Sequence, residues 1–486
     1  MTSPIAPATA AHARIHLAPD RRLKLPALIG IIFFNTCGGA FALEPLIGAV
    51  GPGLAVALIL ITPLVWSLPM ALMSAELTTL MPEQGGFYVW VREALGPFWA
   101  VQEAWWSIIA SLVVIAGFPV LFVTYLTYFL PALNPSADAP HSLSGPLLRW
   151  LIAALVVAAA MVLNLRGARD VGRSSKACSV AVVGVFILMI LVWLKKTAAP
   201  GAALEIIAAD LHSHREGALL LGLSFIVYNY SGWDSISTFA AEVDEPQHNY
   251  PRGIVIGLVV VVLSYLLPVL AGVSVTSDPA IWSADAGWPV IAKLIGGNWL
   301  GSLMAAVALV SMWSLVNAML LYVSRLPFVM ACDGWLPQAF ARVPPDTAVP
   351  TLAVVCLCVI TAVFTGLSFG GLAVIQCLLY GFALLLEFLS LIILRVRHPD
   401  APRSFRVPGR WWGVAYVCLT PMAFMTLVAT VTLRDWRSYQ GQLLVVGGIV
   451  GCGGALYFLR RGIAATLAGP PVLESAATRP PWERVP

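Results

Sequence analysis

Twelve runs of roughly twenty apolar residues, nearly free of charge, leave this chain few ways to fold. They lie at residues 25–50, 53–80, 98–130, 147–165, 174–194, 216–240, 253–275, 299–324, 350–366, 370–394, 411–433 and 440–460. A bilayer core about 30 Å thick takes about 20 apolar residues per helix, so each run is long enough for one crossing, with the run near 350 the shortest. Only 11% of the 486 residues are charged and 59% are hydrophobic; a soluble domain carries roughly 25% charged residues. The expected fold class is an all-α polytopic membrane protein with twelve transmembrane helices.

The basic residues set the orientation. With the N-terminus inside, the inner side collects Arg14, Arg21, Arg22 and Lys24, the loop Arg166–Lys176, and the five arginines Arg395, Arg397, Arg403, Arg406 and Arg410, with others. About 21 of the 28 basic residues fall there, the asymmetry of the positive-inside rule. Both termini are then cytoplasmic, in the cell membrane. Residues 1–24 and 462–486 read as unstructured tails, the second rich in proline. No cleavable signal is visible, since the first run is too long and leads directly into a second. The net charge of +4 reports topology, and no basic face with interleaved aromatics suggests a nucleic-acid partner.

Two of the runs are interrupted. Asn35-Thr36-Cys37-Gly38-Gly39-Ala40-Phe41 breaks the first and Tyr230-Ser231-Gly232-Trp233-Asp234 breaks the sixth. Glycine lets the backbone leave helical geometry, and unpaired backbone groups at membrane depth are tolerated where they line a cavity or bind something. Breaks at the start of two similar halves point to a secondary transporter of inverted repeats, with its substrate at the breaks. The repeats are expected at 25–194 and 216–396, with two further helices at 411–461. Amides near Gly38 and Gly39 suit a carboxylate, and carbonyls from Val227 to Tyr230 suit an ammonium group. An amino acid carries both. The alternative is that these glycines only let helices pack closely.

The stretch Tyr228-Asn229-Tyr230-Ser231-Gly232-Trp233-Asp234-Ser235, with Thr238, Glu242-Val243-Asp244-Glu245-Pro246 and Asn249-Tyr250-Pro251-Arg252, resembles the amino acid, polyamine and organocation transporter superfamily. Gly38-Gly39-Ala40-Phe41 with Glu44, Trp66-Ser67-Leu68-Pro69 through Ala75-Glu76-Leu77 to Gly85-Gly86, and Gly96-Pro97-Phe98-Trp99 with Gln102-Glu103 are similar to its plant and protozoan polyamine uptake branch. The resemblance spans about residues 27 to 400. It implies a leucine-transporter-type fold, a 5+5 inverted repeat with helices 1 and 6 broken. This chain has Thr124 where that branch has an acidic residue, and its Ser231-Gly232-Trp233 resembles the general amino acid permeases. The expected function is therefore an amino acid permease working by alternating access, the alternative a polyamine or related amine transporter, and a non-transporting sensor behind both.

The expected substrate site comprises Asn35, Cys37, Gly38, Gly39, Glu44, Tyr228, Tyr230, Ser231, Gly232, Trp233 and Asp234. Trp233 is the expected lid, by cation–π contact with an amine. Asp234 reads as an N-cap of the second half-helix or as a substrate contact. Glu44 faces an amine or caps its half-helix. Glu103, Thr124 and Glu387 are candidates for gating, proton coupling or internal ion pairs, because charge inside a membrane is costly. Ser311, Ser314 and Asn317 share a helix face that can hold a cation. Coupling to a proton or to sodium fits either reading. Ion pairs linking Glu83, Arg92, Glu93 and Glu242–Arg252 to the loop Arg166–Lys176 are expected to close the inner side. Neither a nucleophile with its base nor a His/Cys metal cluster stands within the runs, so no enzyme, cofactor or metal is expected. Oligomeric state is not legible.

Overall fold

The computed structural model describes residues 22–133, 144–197, 201–211, 219–282, 287–344, 347, 349–366, 369–434 and 436–467. Most of both expected tails lies outside the described residues. Residues 22–24 are ordered: Leu23 donates its amide to the Glu242 carbonyl at 2.9 Å and accepts from the Asp244 amide at 2.9 Å, the one β-bridge among the described residues.

Everything else that is regular is helical. The first half contains α1 (Leu25–Thr36), α2 (Glu44–Val50), α3 (Pro52–Thr62), α4 (Leu68–Leu80), α5 (Phe87–Leu95), α6 (Pro97–Leu126), α7 (Ser144–Leu165), α8 (Ala168–Lys196) and α9 (Ala202–Leu211). The second contains α10 (Leu219–Tyr230), α11 (Pro246–Val273), α12 (Gly287–Gly296), α13 (Asn298–Val323), α14 (Arg325–Cys332), α15 (Thr351–Phe364), α16 (Phe369–Arg397), α17 (Arg410–Arg434) and α18 (Trp436–Leu467).

Among the described residues, nine helices are long and apolar enough to cross a membrane. The other three expected crossings fall short for two reasons. The runs at 25–50 and 216–240 break at their glycines, the second continuing as a 3-10 helix over Ser235–Glu242. At 350–366 the helix α15 has 14 residues, about 21 Å at 1.5 Å per residue, less than a bilayer core. Four short helices, α5, α9, α12 and α14, occupy segments expected as loops.

α3 and α4 form one continuous span through a π-helical turn at Pro63–Ser67. Pro63 and Pro69 lack amide donors, so the regular ladder cannot run through this stretch and a wider turn replaces it. The turn places Trp66 against Tyr380 and Phe424. At the centre of the bundle stand α6, α13 and α16, each about two-thirds buried or more along its apolar window, whereas the window at 440–462 in α18 is only 17% buried. α6 packs most extensively against α16 and α13. Large apolar side chains exposed on the outer helices, such as Leu155, Val180, Leu419 and Leu444, make a surface suited to lipid.

Candidate substrate site

The end of α1 folds back on itself. The amides of Cys37 and Gly38 both donate to the Phe33 carbonyl, at 2.8 and 3.0 Å, and the Gly39 amide donates to Cys37 Sγ at 3.2 Å. The amides expected to wait for a carboxylate at Gly38 and Gly39 are thus already engaged. Part of the expected carbonyl half-site is engaged too: Val227 O accepts from Ser231 Oγ at 2.6 Å, and Asn229 O from the Tyr265 hydroxyl at 2.6 Å. Because a broken helix leaves several orphan groups, the chain satisfies many of them locally.

At the second break Gly232 has φ +95°, and a Cβ there would stand 2.5 Å from the Asn35 carbonyl oxygen. Only glycine allows both this backbone and this contact, so the two breaks meet at Gly232 and Asn35. The Gly232 amide donates to the Tyr380 hydroxyl at 3.1 Å, and that hydroxyl donates to Asp234 Oδ1. Asp234 stands at the N-cap position of the 3-10 helix without a side-chain capping bond, and its carboxylate accepts from the Tyr380 hydroxyl.

A narrow cavity of about 40 Å³ lies beside this break, lined by Tyr228, Ser231, Gly232 and Asp234, with Tyr380, Gln376, Tyr322, Ser107 and Ser111 from α16, α13 and α6. A second, smaller cavity of about 20 Å³ adjoins it through Val114, Tyr228 and Met319 and reaches Asn35 and Cys37. Both atoms of the Asn35 amide are buried there without a hydrogen-bond partner.

Other expected site residues point elsewhere. Tyr230 donates to the Ile59 carbonyl at 3.0 Å and packs on Tyr265. Trp233 is fully buried beside Ile32 and Gly257, between α1 and α11, and is absent from both cavity linings. Gly39 sits under Val182 and Phe186. Sequence reading missed Tyr380, Gln376, Tyr322, Ser107 and Ser111. A signal was present: Glu103, Ser107 and Ser111, and likewise Gln376 and Tyr380, recur every four residues as polar stripes on apolar helices.

Three buried carboxyl groups lie on the elements that line the first cavity, Asp234 at the break, Glu103 on α6 and Glu387 on α16. Asp234, Glu103 and Glu387 are all buried, and each of Glu103 and Glu387 interacts electrostatically with Asp234 and, for Glu387, with Glu103 as well. Ser107 Oγ donates to Glu103 Oε1 at 2.7 Å. Glu103 Oε2 and both Glu387 oxygens have no hydrogen-bond partner. Among the described residues, no basic side chain forms an ion pair with any of the three.

A family model described as amino acid permease matches residues 23–450. The chain belongs to this family, in the amino acid, polyamine and organocation superfamily. It is 34% identical over 413 residues to the polyamine transporter PUT1 of Oryza sativa subsp. japonica, covering 85% of this chain and 74% of that protein. To the polyamine transporter RMV1 of Arabidopsis thaliana it is 30% identical, over 85% of this chain and 81% of that one. A weaker match, 24% identical over 80% and 82% of the two chains, is the branched-chain amino acid permease BcaP of Bacillus subtilis. The chain is a multi-pass membrane protein of a permease family, whose relatives are transporters and not enzymes.

Side-chain bonds also join the helices around the breaks. Glu44 Oε1 accepts the Tyr125 hydroxyl at 2.6 Å and the Trp288 amide at 3.2 Å, and Trp288 Nε1 donates to the Ala40 carbonyl at 2.7 Å. Glu44 thereby ties α2, α6 and α12 together, and it lines neither cavity. Arg325 grips Glu242 through Nε at 2.8 Å and an NH2 group at 3.0 Å, joined by Gln84 Nε2 at 3.1 Å. Arg92 pairs with Asp333 at 2.7 Å. Burial alone would pull the Arg92 pKa down, but Asp333, Tyr88 and Glu93 outweigh it and hold it above the ordinary arginine value. Glu242 and Arg92 therefore pair with α14 and the turn after it, where partners in the loop Arg166–Lys176 were expected. Glu76, fully buried, takes Arg395 at 2.7 and 2.5 Å, Arg403 at 3.3 Å and the Val407 amide at 2.7 Å, fastening α4 to the segment between α16 and α17.

The expected cation face on α13 divides. Ser311 donates to the Gly38 carbonyl, while Asn317 Oδ1 accepts from Asn164 on α7 at 3.2 Å. Ser314 Oγ is buried without a partner. Thr124 donates within its own helix to the Val120 carbonyl at 3.2 Å and lines neither cavity.

Proposed function

We propose that this permease moves organic amines of the polyamine class across the cell membrane by alternating access. The observation that carries this is the buried carboxyl of Asp234 in the cavity lining, with the buried carboxyls of Glu103 and Glu387 on α6 and α16, none of the three ion-paired with a basic side chain among the described residues. A carboxyl buried at membrane depth keeps its charge only beside a cation and otherwise takes up a proton; the ammonium groups of an amine favour the charged form, whereas a zwitterionic amino acid adds a further carboxylate. Two relatives named polyamine transporters support the same class. So do the Gly38 and Gly39 amides, which are taken and hold no place for a substrate carboxylate. This reading replaces the amino acid as the first expectation.

In this reading the substrate lies between the two breaks, along Asn35, Tyr228, Ser231, Gly232 and Asp234. The chain crosses the membrane twelve times, with α1 and α10 as the broken first helices of two inverted five-helix repeats, α17 and α18 added, and both termini in the cytoplasm. The Glu44 contacts close the outer side and the Glu242–Arg325 pair the inner one. The test is uptake of radiolabelled putrescine, spermidine and leucine into proteoliposomes, with imposed proton or sodium gradients to identify the coupling ion. Uptake of the amines and not of leucine is expected. Leucine uptake alone would restore the amino acid reading, and binding without flux would favour a sensor.

A further inference from the structure

A third cavity, about 210 Å³, lies between α16, α17 and the π-helical turn, outside the substrate site. Trp66, Gly381, Phe388 and Met425 are among its walls, and its two exposed lining residues, Phe382 and Thr426, mark its mouth. Around that mouth α17 exposes Leu419 and Leu427, part of the surface suited to lipid. The cavity is therefore a recess of the bilayer-facing surface that runs inward to Trp66, which is fully buried.

The lining and the depth of the recess decide what fills it. Its side chains carry one hydroxyl and one indole N–H. Thr426 donates its hydroxyl to the Met422 carbonyl of its own helix at 2.8 Å, and the Trp66 indole N–H has no partner. A buried water needs two to four polar partners, so the recess is suited to hydrocarbon. Trp66 stands midway along the continuous span Pro52–Leu80, with about 21 Å of helix on either side. A bilayer holds acyl chains and no headgroups at that depth. Since an apolar cavity of about 150 Å³ takes benzene, 210 Å³ has room for a stretch of about eight chain carbons.

Trp66 is also the wall shared with the substrate site. Its ring meets Tyr380 edge-on at 6.3 Å between centroids, and Tyr380 lines the first cavity and donates to Asp234. Met425 from α17 lies over Gly381, the residue after Tyr380, and leaves no room for a Cβ there.

We infer that this recess is a lipid site, taking one acyl chain of a bilayer phospholipid, and that the chain braces Trp66 against Tyr380 and so strengthens substrate binding at Asp234. Substrate in turn tightens the hold on the chain. The bracing rests on the substrate lying at Asp234, as proposed above; the lipid site does not.

The test places the full-length permease in phosphatidylcholine vesicles that include a phosphatidylcholine with a diazirine near the end of one acyl chain, and maps the photo-cross-links by mass spectrometry. The wild type should be labelled inside the recess, at Met425 or Phe388, as well as at exposed Leu444 on α18. Ala429→Phe puts a ring into the recess and Thr426→Phe narrows its mouth. Each should abolish the recess labelling and keep that of Leu444, and a single gel-filtration peak shows that each is folded. No recess labelling in the wild type, unchanged recess labelling in both variants, or recess cross-links to a second copy of the chain in place of lipid would each overturn the site. Titration calorimetry with putrescine and with leucine in lipid-stripped detergent reads the bracing. Added phosphatidylcholine should tighten wild-type binding about fivefold, whereas Ala429→Phe should bind that tightly without lipid and no tighter with it. Equal tightening of both proteins would overturn the bracing alone. Binding of neither compound by the wild type would overturn the substrate readings and the bracing with them, while the labelling still decides the lipid site.

Discussion

Tyr380 joins the two sides of the second break: its hydroxyl receives the Gly232 amide and donates to the Asp234 carboxylate. A residue on α16 thus fixes the direction of the one carboxylate that lines the cavity, and the Trp66 ring from the π-helical turn packs against it in turn. Replacing it by phenylalanine keeps the ring and removes both bonds. A neutral bond contributes about 1 kcal/mol and one to a charged group about 1.5–3. Tyr380→Phe should therefore cost about 2–3 kcal/mol in stability and lower substrate affinity about tenfold by freeing Asp234 to turn. Thermal unfolding and calorimetry read the two effects separately, and unchanged affinity would show that Asp234 does not need this hold.

Gly232→Ala tests the contact between the breaks. The new methyl group would face the Asn35 carbonyl at 2.5 Å in a backbone of φ +95°, a conformation costing a non-glycine residue about 1–3 kcal/mol before any clash. The half-helices would have to move apart, so uptake should fall below detection while part of the protein remains folded. Wild-type transport by this variant would mean that the breaks separate freely during the cycle.

What was legible in the sequence was what depends on local chemistry. Runs of apolar residues locate the spans, and Gly38-Gly39 and Gly232 locate the breaks, because positive φ is a property of the residue itself. Side-chain direction was not legible. Trp233 and Asp234 are adjacent, yet one packs against α11 and the other against α16, and that difference is decided by helices contributed from elsewhere in the chain. Tyr380 lies 146 residues from the Asp234 it holds, and Arg325 lies 83 from Glu242. No spacing rule spans such distances. α12 was hidden for another reason: at 10 residues it is too short to register as a span, although its Trp288 closes over the first break.

The Arg325–Glu242 pair is nearly inaccessible, with side chains 1% and 2% exposed. Removing one member of such a pair leaves a buried charge alone and costs about 3–5 kcal/mol. Arg325→Met and Glu242→Gln should each destabilise the permease by that order, and the double variant by clearly less than the sum of the two. Chemical denaturation of all four proteins in one detergent gives the coupling energy. Additive losses would indicate that the two side chains act independently.

Glu44→Gln tests the proposed outer closure without changing its shape. The two bonds to Glu44 Oε1, from Tyr125 and from the Trp288 amide, lose their charge assistance, worth about 1 kcal/mol or more each. A shift of about 2 kcal/mol in a two-state equilibrium raises the population with that end open about thirtyfold. Cys37 reports the change: it is 5% exposed and lines the second cavity. With the other seven of the eight cysteines replaced, a membrane-impermeant maleimide should label Cys37 about ten- to thirtyfold faster in Glu44→Gln than in the parent. Excess substrate that favours the closed form should slow it again. Equal labelling rates would mean that Glu44 holds α2 in shape and does not govern access to the cavity.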